Sequence, residues 1–469
     1  MSLDLSPAEI KAKIPGLVLK TNKPGAPLST FSIDTRTLKK GDIFIALKGQ
    51  NHDGHKFIKD ALALGAKGVV YDSDFGCDLE NNSGFLFLKV SSCHDFIYKT
   101  AQYRREKIDF PILAITGSCG KTTVKELSAA LLSSKFCTYR NYLNQNNMLG
   151  LSLNILNCSG RYDFGLFELG ISKKGDMDEL LRLLKPKHGL ITNVNPVHLE
   201  YLMDEEGVLE EKLKLFEYLK DGSYAFYPGD DIRFKNLKNR LKKRLNFKTF
   251  GFKDRNDYWL EVNAADMQGL VLKFKNGDFL RSSLLGRHNA FNISAALAVA
   301  VEFGVDFNSI SKVLSEFKSF DGRMKFEKFS DDIDIINDGY NSNPAALMCG
   351  LEFISGLDYD GVKTAVLSDM LELGERSGQE HYNAGSLACG MKLDYYFCYG
   401  ENMKYFIQGL KDKGFRSDRI VYLDVDLMAQ RLFKHTKTIA ENKLLFFKAS
   451  CGMNIISLIN RLKVAAGLQ

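Results

Sequence analysis

One segment limits the possible folds more than any other part of the chain. Residues 110–126 read FPILAITGSCGKTTVKE: an apolar run is followed by a turn with two glycines and then by residues typical of a helix. Gly117 and Gly120 let the backbone turn tightly and point its N–H groups inward, while the helix N-terminus adds partial positive charge. The segment therefore predicts a strand, a phosphate-binding loop and a helix within an α/β domain.

The residues of this loop suit a nucleotide. Lys121 can reach the outer phosphates, and the hydroxyl of Thr122 can bind a magnesium ion. Ile115 stands where the full G-x-x-x-x-G-K-[ST] pattern has its first glycine, so a glycine turn with chance polar neighbours is the alternative. The nucleotide-binding residues that the segment predicts are Gly117, Ser118, Cys119, Gly120, Lys121, Thr122 and Thr123.

Two later strands carry polar groups near their carboxyl ends. Glu168 lies within an apolar strand, where a carboxylate is unfavourable unless it is paired or binds a metal. His198 follows the next predicted strand, and an open α/β sheet places its site at the carboxyl ends of neighbouring strands. Both residues are candidate magnesium ligands, and a structural role for each is equally compatible with the sequence. Lys212, on an amphipathic helix, has the pattern of a surface lysine.

The chain changes character after this region. Residues 258–282 alternate as antiparallel strands do, with Asn276-Gly277 as a turn. An alanine-rich helix follows, and Asn289 and Asn292 lie at its start. Asparagine there can cap a helix or hydrogen-bond the edge of an adenine. The sequence leaves these two roles open.

Strands and helices alternate from residue 319 to the end, which predicts a doubly wound, mostly parallel sheet. The loops after four of its strands should form one ligand-binding face, at residues 339–344, 370–375, 400–402 and 449–452.

The first 106 residues predict a smaller α/β unit without a phosphate loop. Four polar residues of this unit could contact phosphate or ribose, or could be ordinary surface residues: Ser32, Thr35, Arg36 and Lys48. At roughly 150 residues per domain, a chain of 469 residues agrees with three domains. The fold class predicted is α/β, with domains at 1–106, 107–318 and 319–469.

Composition excludes several classes of protein. The net charge of +6 comes from scattered lysines, and the basic run 235–248 fits a solvated helix face better than a nucleic-acid contact. The nine cysteines include no C-x-x-C pair, so neither a disulfide framework nor a zinc finger is indicated. The sequence has no signal-peptide pattern and no apolar run of about 18 residues. We expect a cytoplasmic monomer that binds no nucleic acid and does not span a membrane.

Motifs along nearly the whole chain resemble those of the Mur ligase family. They are TGSCGKTT at 116–123, DTR at 34–36 with GDIFIALKG at 41–49, GRHNAFN at 286–292, DGYNSNP at 338–344 and LSDMLELG at 367–374. The last two are the most specific, because they resemble the family members that add D-alanyl-D-alanine (D-Ala-D-Ala) to UDP-N-acetylmuramoyl-tripeptide (UDP-MurNAc-tripeptide). The resemblance implies a UDP-sugar domain, a central ATP-binding domain with a small antiparallel sheet, and a Rossmann-like C-terminal domain.

The resemblance also implies an ADP-forming ligase reaction. ATP would phosphorylate the tripeptide carboxylate, and the dipeptide amine would attack the acyl phosphate. Lys121 would stabilise the β- and γ-phosphates, Thr122 and Glu168 would hold one Mg²⁺, and His198 would hold a second. Lys212 is similar to the family lysine that becomes a carbamate. The implied catalytic residues are Lys121, His198 and Lys212.

Further ligand contacts follow from the same resemblance. Asn289 or Asn292 would contact the adenine, Asp338 the ribose and Arg323 the phosphates. Thr35, Arg36 and Lys48 would contact the UDP-sugar, with Ser32 beside them. Tyr340 and Asn343 would lie near the incoming dipeptide or nucleotide.

The sequence departs from the family pattern at several positions. Cys119 replaces an Asn or Lys-type residue, and Met148 stands where Glu or His is common. Lys214 stands where an acidic residue is usual, which would give a carbamate at Lys212 a cationic neighbour. Cys451 stands where Arg is familiar. Two alternatives therefore stay open: the preceding ligase, which adds the third amino acid to UDP-MurNAc-dipeptide, and a weakly active paralogue that binds nucleotide sugar.

Overall fold

The computed structural model describes residues 5–14, 17–20, 28, 30–49, 52–73, 85–142, 145–195 and 205–466. Within these residues the chain forms three sheets in succession, each covered by helices. The predicted α/β class is confirmed, including the small antiparallel sheet and the Rossmann-like C-terminal part. No helix of the described part is long and apolar enough to span a membrane.

The first sheet has five strands among the described residues, in the order β1-β5-β4-β3-β2, and β1 is antiparallel to its neighbour. Two of its helices, α1 and α3, begin at side-chain caps: Ser6 accepts a hydrogen bond from the backbone of Glu9, and Ser92 from that of Asp95. The elements are α1 (Pro7–Lys13), β1 (Val18–Lys20), β2 (Phe31–Ser32), β3 (Ile43–Ile45), α2 (Ile58–Ala63), β4 (Gly68–Tyr71), β5 (Leu86–Lys89) and α3 (Cys93–Lys107).

The central sheet has nine strands among the described residues, in the order β14-β13-β12-β11-β10-β9-β6-β8-β7. Strand β6 lies between two parallel neighbours and is buried along its whole length, as its uninterrupted apolar sequence requires. The strands are β6 (Ile112–Thr116), β7 (Thr138–Arg140), β8 (Phe164–Glu168), β9 (His188–Ile191), β10 (Tyr224–Pro228), β11 (Asn246–Gly251), β12 (Tyr258–Asp266), β13 (Gly269–Phe274) and β14 (Phe279–Ser282).

Strands β12 to β14 form the antiparallel meander that the sequence predicts, and β12 pairs in parallel with β11, so the meander extends the central sheet. The helices of this part are α4 (Lys121–Ser133), α5 (Met148–Leu156), α6 (Asp176–Leu184), α7 (Glu205–Tyr218), α8 (Leu237–Leu241), α9 (Arg287–Glu302) and α10 (Phe307–Glu316).

The third sheet has the order β15-β16-β20-β17-β18-β19 in the part of the chain described, and its strands are parallel except for the edge strand β15. The elements are β15 (Lys325–Ser330), β16 (Ile333–Asp338), α11 (Pro344–Gly356), β17 (Val362–Ser368), α12 (Ser377–Ala388), β18 (Tyr395–Tyr399), α13 (Met403–Asp412), β19 (Ile420–Tyr422), α14 (Val425–Thr438), β20 (Lys443–Lys448) and α15 (Ile455–Ala465).

One side chain, that of Asn157, connects the first two sheets by hydrogen bonds to the backbone of an edge strand. The amide of Asn157, at the end of α5, accepts a hydrogen bond from the Phe31 backbone N–H at 2.7 Å and donates one to the Phe31 carbonyl at 2.9 Å. Phe31 lies in β2, at the edge of the first sheet, so Asn157 satisfies backbone groups that the sheet leaves free. The strand that leads into the predicted UDP-sugar residues is therefore fixed to the central domain.

We predict that Asn157→Ala lowers the free energy of unfolding by about 2 kcal/mol, because it removes two hydrogen bonds and leaves two backbone groups without protein partners. Thermal unfolding would show the loss as a shift of a few degrees. Asn460→Ala, on the exposed face of α15, is the matched control and should leave the midpoint unchanged. Equal midpoints for the two variants would contradict the role given to Asn157.

Candidate functional site

The glycine loop lies where the sequence predicts, between the end of β6 at Thr116 and the start of α4 at Lys121. Gly120 adopts a left-handed φ of 79°, and a Cβ there would lie 2.2 Å from Oδ1 of Asn292. A Cβ on Gly117 would lie 1.9 Å from Oγ1 of Thr192. Glycine is therefore required at both positions by the close packing of the loop against α9 and the end of β9.

Two residues that sequence reasoning missed hold this loop in shape. Asn193 accepts a hydrogen bond from the Cys119 N–H at 2.8 Å and donates one to the Cys119 carbonyl at 3.0 Å. The Thr192 hydroxyl donates to the same carbonyl at 2.6 Å. Both residues follow β9, which pairs with β6, so their polarity at the carboxyl end of a buried strand was the available signal.

The loop lysine and its neighbour occupy the positions expected for phosphate and metal chemistry. Lys121 Nζ donates to the carbonyls of Gly117 and Ser118, at 2.8 and 3.3 Å, so it lies over its own loop. The Thr122 hydroxyl donates to Glu168 Oε2 at 2.8 Å. The structure thus brings Thr122 and Glu168 together, as the sequence predicts for a shared cation.

Glu168 is 1% exposed at the end of β8. Its other oxygen accepts a hydrogen bond from Asn146 Nδ2 at 2.7 Å, which is a second contact that sequence reasoning missed. Within the described ranges no cationic side chain lies within ion-pair distance of this carboxylate. A buried carboxylate with neutral partners, next to a hydroxyl, fits a divalent cation that also binds substrate phosphates.

Lys212 is 1% exposed, which corrects the interpretation of it as a surface lysine. It lies on α7, and among the residues described its amine has no hydrogen-bond or ion-pair partner. Burial, together with the positive charge of Lys121, lowers the pKa of Lys212 to about 7. A substantial fraction of this amine is therefore uncharged near neutral pH, as a nucleophilic lysine requires.

Lys214, which stands where the family usually has an acidic residue, points away from Lys212 and pairs with two carboxylates. Residues two apart on a helix point in roughly opposite directions, so Lys214 does not share a face with Lys212. Lys214 Nζ lies 2.7 Å from carboxylate oxygens of both Asp178 and Glu211. Burial lowers its pKa, but these two hydrogen bonds outweigh it, and the pKa is raised overall. Asp178 and Glu211 therefore balance the positive charge of Lys214, on a side of the helix that Lys212 does not share.

The C-terminal domain reaches the same loop. Arg323 Nη2 donates to Thr122 Oγ1 at 3.1 Å, and Asn343 Nδ2 donates to the sulfur of Cys119 at 3.3 Å. Asn343 also caps α11, whose first residue is Pro344. Residues of both domains enclose a cavity of about 700 Å³, which is the size of a nucleotide or small-molecule site.

Tyr340 is placed between these groups. The Arg323 guanidinium stacks on its ring at 4.0 Å. Burial raises the pKa of Tyr340 to about 12, although Arg323 opposes this, so the phenol is neutral and can donate. Its hydroxyl is buried and has no hydrogen-bond partner among the residues described. Tyr340 therefore has a donor available for a ligand oxygen in the cavity.

Asp338 lines the cavity and forms a buried ion pair with Lys448, at 2.6 Å. Sequence reasoning assigned no role to Lys448, because a lysine at the end of an apolar strand does not reveal its partner. Three of the four loops predicted to form one ligand face contribute to the cavity lining. Residues of the fourth, Gly400 to Asn402, are not among the lining residues; there the backbone N–H of Asn402 binds Asp369 at 3.0 Å.

The two asparagines of α9 are buried and bonded to one another. Asn292 Nδ2 donates to Asn289 Oδ1 at 2.9 Å, and Asn289 Nδ2 donates to the Leu285 carbonyl at 2.7 Å. Gly286 is the residue before the first turn, and no side chain caps it. The capping alternative is therefore wrong for this helix start, while both asparagines do line the cavity.

The remaining predicted residues lie apart from this cavity or outside the described part. Arg36 is paired with Asp34 at 2.6 Å and is largely exposed, and the Ser32 hydroxyl donates to the Asp34 carbonyl. Thr35 and Lys48 are also polar groups at the surface of the first sheet, and none of these four lines the cavity as described. His198 lies outside the residues that the structure describes.

Comparison with known proteins accounts for this arrangement. Residues 28–104 match the Mur ligase family catalytic domain, residues 115–300 the Mur ligase middle domain and residues 322–451 the Mur ligase glutamate ligase domain. The UDP-N-acetylmuramoyl-tripeptide–D-alanyl-D-alanine ligase of Bacillus subtilis is 30% identical over 433 residues, which cover 92% of each chain. The chain belongs to the Mur ligase family.

Solved structures show the same fold. A crystal structure of MurF from Acinetobacter baumannii superposes with a TM-score of 0.82, at 24% identity and with 98% of each chain covered. The MurF ligase of Thermotoga maritima in complex with ADP gives a TM-score of 0.75 at 24% identity, covering 93% of this chain and 97% of that one.

The pKa of Lys212 yields a prediction about stability. Its value is about 7 in the folded chain and 10.5 ordinarily, so between these values the unfolded chain binds more protons and folding becomes more favourable as pH rises. Lys212→Met lacks this dependence. We expect the variant to exceed the wild type in free energy of unfolding most at about pH 6.5, and less at about pH 9.

Urea denaturation at both pH values measures this difference. Lys214→Met is the control, because its amine is charged in the folded and unfolded chain at both pH values and should show no such trend. A stability difference between wild type and Lys212→Met that does not change with pH would mean that the buried amine keeps an ordinary pKa.

Proposed function

We propose that this protein is the ligase that joins D-Ala-D-Ala to UDP-MurNAc-tripeptide in peptidoglycan precursor synthesis, with ATP converted to ADP and phosphate. The observation that carries the proposal is the contact of Arg323 and Asn343, from the C-terminal domain, with Thr122 and Cys119 of the glycine loop. A simple nucleotide-binding domain does not need a second domain at its phosphate loop. A ligase does, because the activated acyl group and the incoming amine must meet there.

The chemistry requires activation of a carboxylate, which is a poor acyl donor. A carboxylate oxygen of the tripeptide attacks the γ-phosphorus, and the bond between that phosphorus and ADP breaks. The dipeptide amine then attacks the acyl carbon, the carbon–oxygen bond to phosphate breaks, and the nitrogen loses a proton. Negative charge develops on phosphoryl oxygens in the first step, so the protein contributes mainly positioning and cations.

The residues at the loop supply those cations and donors. Lys121 leaves the loop carbonyls to bind the β- and γ-phosphates, and Arg323 adds a planar guanidinium that suits phosphate oxygens. The free hydroxyl of Tyr340 donates to an oxygen of the transferring or acyl phosphate. We assign Asp338 to the ribose and the Asn289–Asn292 pair to the adenine side, where both line the cavity.

Thr122 and Glu168 fit a Mg²⁺ ion, and His198 is the proposed ligand of a second. Mg²⁺ bound there neutralises phosphate charge during transfer. Lys212 is proposed to carry a carbamate: its uncharged amine attacks CO₂, a nitrogen–carbon bond forms and a proton is released. The lowered pKa supports this assignment, because the reaction requires the free amine.

The N-terminal domain is proposed to hold the UDP-sugar through Ser32, Thr35, Arg36 and Lys48. The protein is proposed to act as a monomer. We place the domain boundaries near residues 106 and 318, which are close to the end of α3 and the start of β15. Asn157 then fixes the sugar domain to the central domain, so that the tripeptide carboxylate can approach the glycine loop.

Lys121→Ala should lower phosphate release in the presence of ATP, tripeptide and dipeptide by at least about 100-fold, since it removes a preorganised charge at the transferring phosphate. Lys135→Ala, near the other end of the same helix, removes an exposed lysine and should keep normal turnover. A coupled phosphate assay compares them. Near-normal release by Lys121→Ala would contradict the proposed site.

An acceptor panel separates this activity from that of the preceding ligase. We expect phosphate release with UDP-MurNAc-tripeptide to depend on D-Ala-D-Ala, and to be absent when UDP-MurNAc-dipeptide is offered with single amino acids. Activity in the second mixture would assign the earlier reaction. Tight binding of UDP-sugar without ADP formation in either mixture would favour the inactive paralogue.

A further inference from the structure

A buried polar network at the carboxyl end of β20 joins two loops of the C-terminal domain. The first loop covers residues 338–344 and the second covers residues 369–374. Both contribute side chains to the cavity that faces the glycine loop, among them Tyr340 and Asn343 from the first loop and Leu371 and Glu372 from the second. The family comparison assigns no role to the β20 residues that lie between them.

Lys448, the last residue of β20, is 3% exposed, and every described hydrogen bond of its amine goes to the first loop. Its amine donates to the Asp338 carboxylate at 2.6 Å, to the Asp338 carbonyl at 3.2 Å and to the Asn341 carbonyl at 2.9 Å. The other Asp338 oxygen accepts from the Met324 N–H at 3.1 Å. One buried ammonium therefore fixes both ends of the turn that presents Tyr340.

Ser450, two residues further on, is 2% exposed and connects the first loop to the second. Its hydroxyl donates to the Ser342 carbonyl at 3.2 Å and accepts from the Leu371 N–H at 3.0 Å. Glu372, which follows Leu371 in the chain, has a left-handed φ of 64°, and this conformation is unfavourable for any residue other than glycine. Such a conformation persists where neighbouring contacts hold it, and the Leu371 contact is one of them.

A histidine holds the second loop from its other side. His381 on α12 is fully buried, and burial lowers its pKa, so the ring is neutral. Its Nδ1 donates to the Ser377 carbonyl at 2.7 Å, which leaves Nε2 to accept from the Met370 N–H at 2.9 Å. Consecutive N–H groups of the second loop, at Met370 and Leu371, are thus bonded to His381 and Ser450.

We propose that Lys448 and Ser450 are positioning residues that hold the two loops in one arrangement, so that the amine of the incoming dipeptide is aligned with the acyl carbon. The inference rests on the proposed function. The two residues act through the loops, and β20, which ends at Lys448, lies between the strands that lead into those loops, β16 and β17. Loops that are already held in the binding arrangement need not be ordered when the dipeptide binds, so releasing them weakens dipeptide binding.

The same strand supplies a matched control for Lys448. Lys443, at the amino end of β20, is also 3% exposed and also pairs with an aspartate, Asp332, at 2.5 Å. It does not line the cavity among the described residues. If these two ion pairs of buried lysines serve stability alone, Lys443→Met and Lys448→Met should have the same consequences for catalysis.

The decisive variant is Ser450→Ala, because it removes one oxygen and leaves no charge unpaired. We expect the KM for D-Ala-D-Ala to rise about tenfold or more, because the loops that receive the dipeptide are no longer held, with the KM for ATP and for UDP-MurNAc-tripeptide changed less than about twofold. Ser386→Ala on α12 is the matched control, since the Ser386 hydroxyl is buried and has no hydrogen-bond partner in the described part of the chain. It should leave all three KM values unchanged.

Lys448→Met should raise the KM for both ATP and the dipeptide, because it frees Asp338 as well as the first loop, and should spare the KM for the UDP-sugar substrate. Lys443→Met should change none of them. Thermal midpoints measured on the same samples separate altered folding from altered alignment. If Lys448→Met does not fold, the two serine variants decide the inference.

Unchanged KM values in Ser450→Ala, or parallel rises for all three substrates, would overturn the inference. So would equal kinetic effects of Lys443→Met and Lys448→Met. If the wild-type enzyme does not use D-Ala-D-Ala, the proposed function fails, and the same KM comparison is made with the acceptor that the panel identifies. The two failures are therefore distinguishable.

Discussion

The site depends on one buried carboxylate, Glu168. It lies at the end of a fully buried strand, and the hydroxyl and amide of Thr122 and Asn146 satisfy its two oxygens. A charge in such a position is unfavourable unless a cation compensates it. The phosphate loop, the neighbouring strand ends and the residues that arrive from the C-terminal domain all surround this point, where a bound cation would compensate the carboxylate charge.

Much of this site could be read from the sequence, because its central elements are local. A strand, a glycine loop and a helix are contiguous in the chain, so Gly117, Gly120 and Lys121 are recognised by spacing. The parallel topology of the C-terminal domain also follows from alternation along the chain. The edge strand β15 was not predicted, since its residues, KFEKFS, are mostly polar and only Phe329 among them is buried.

What the sequence did not reveal depends on contacts between distant segments. Thr192 and Asn193 shape the glycine loop from a strand about seventy residues later, and Lys448 meets Asp338 from about a hundred residues further along. Lys212 was misread because periodicity marks the faces of a helix but does not identify which lysine the rest of the fold covers. Only the three-dimensional structure shows that its amine is buried without a hydrogen-bond or ion-pair partner among the residues described.

Cys119 illustrates how a signature loop can tolerate an unusual residue. Its backbone N–H and carbonyl are held by Asn193 and Thr192, whereas its side chain meets Asn343 across the cavity. The shape of the loop is therefore set by backbone atoms, and the side chain at position 119 bears on the contact with Asn343. A replacement of Cys119 would therefore alter the contact between the glycine loop and the C-terminal domain, while the backbone hydrogen bonds of the loop stay in place.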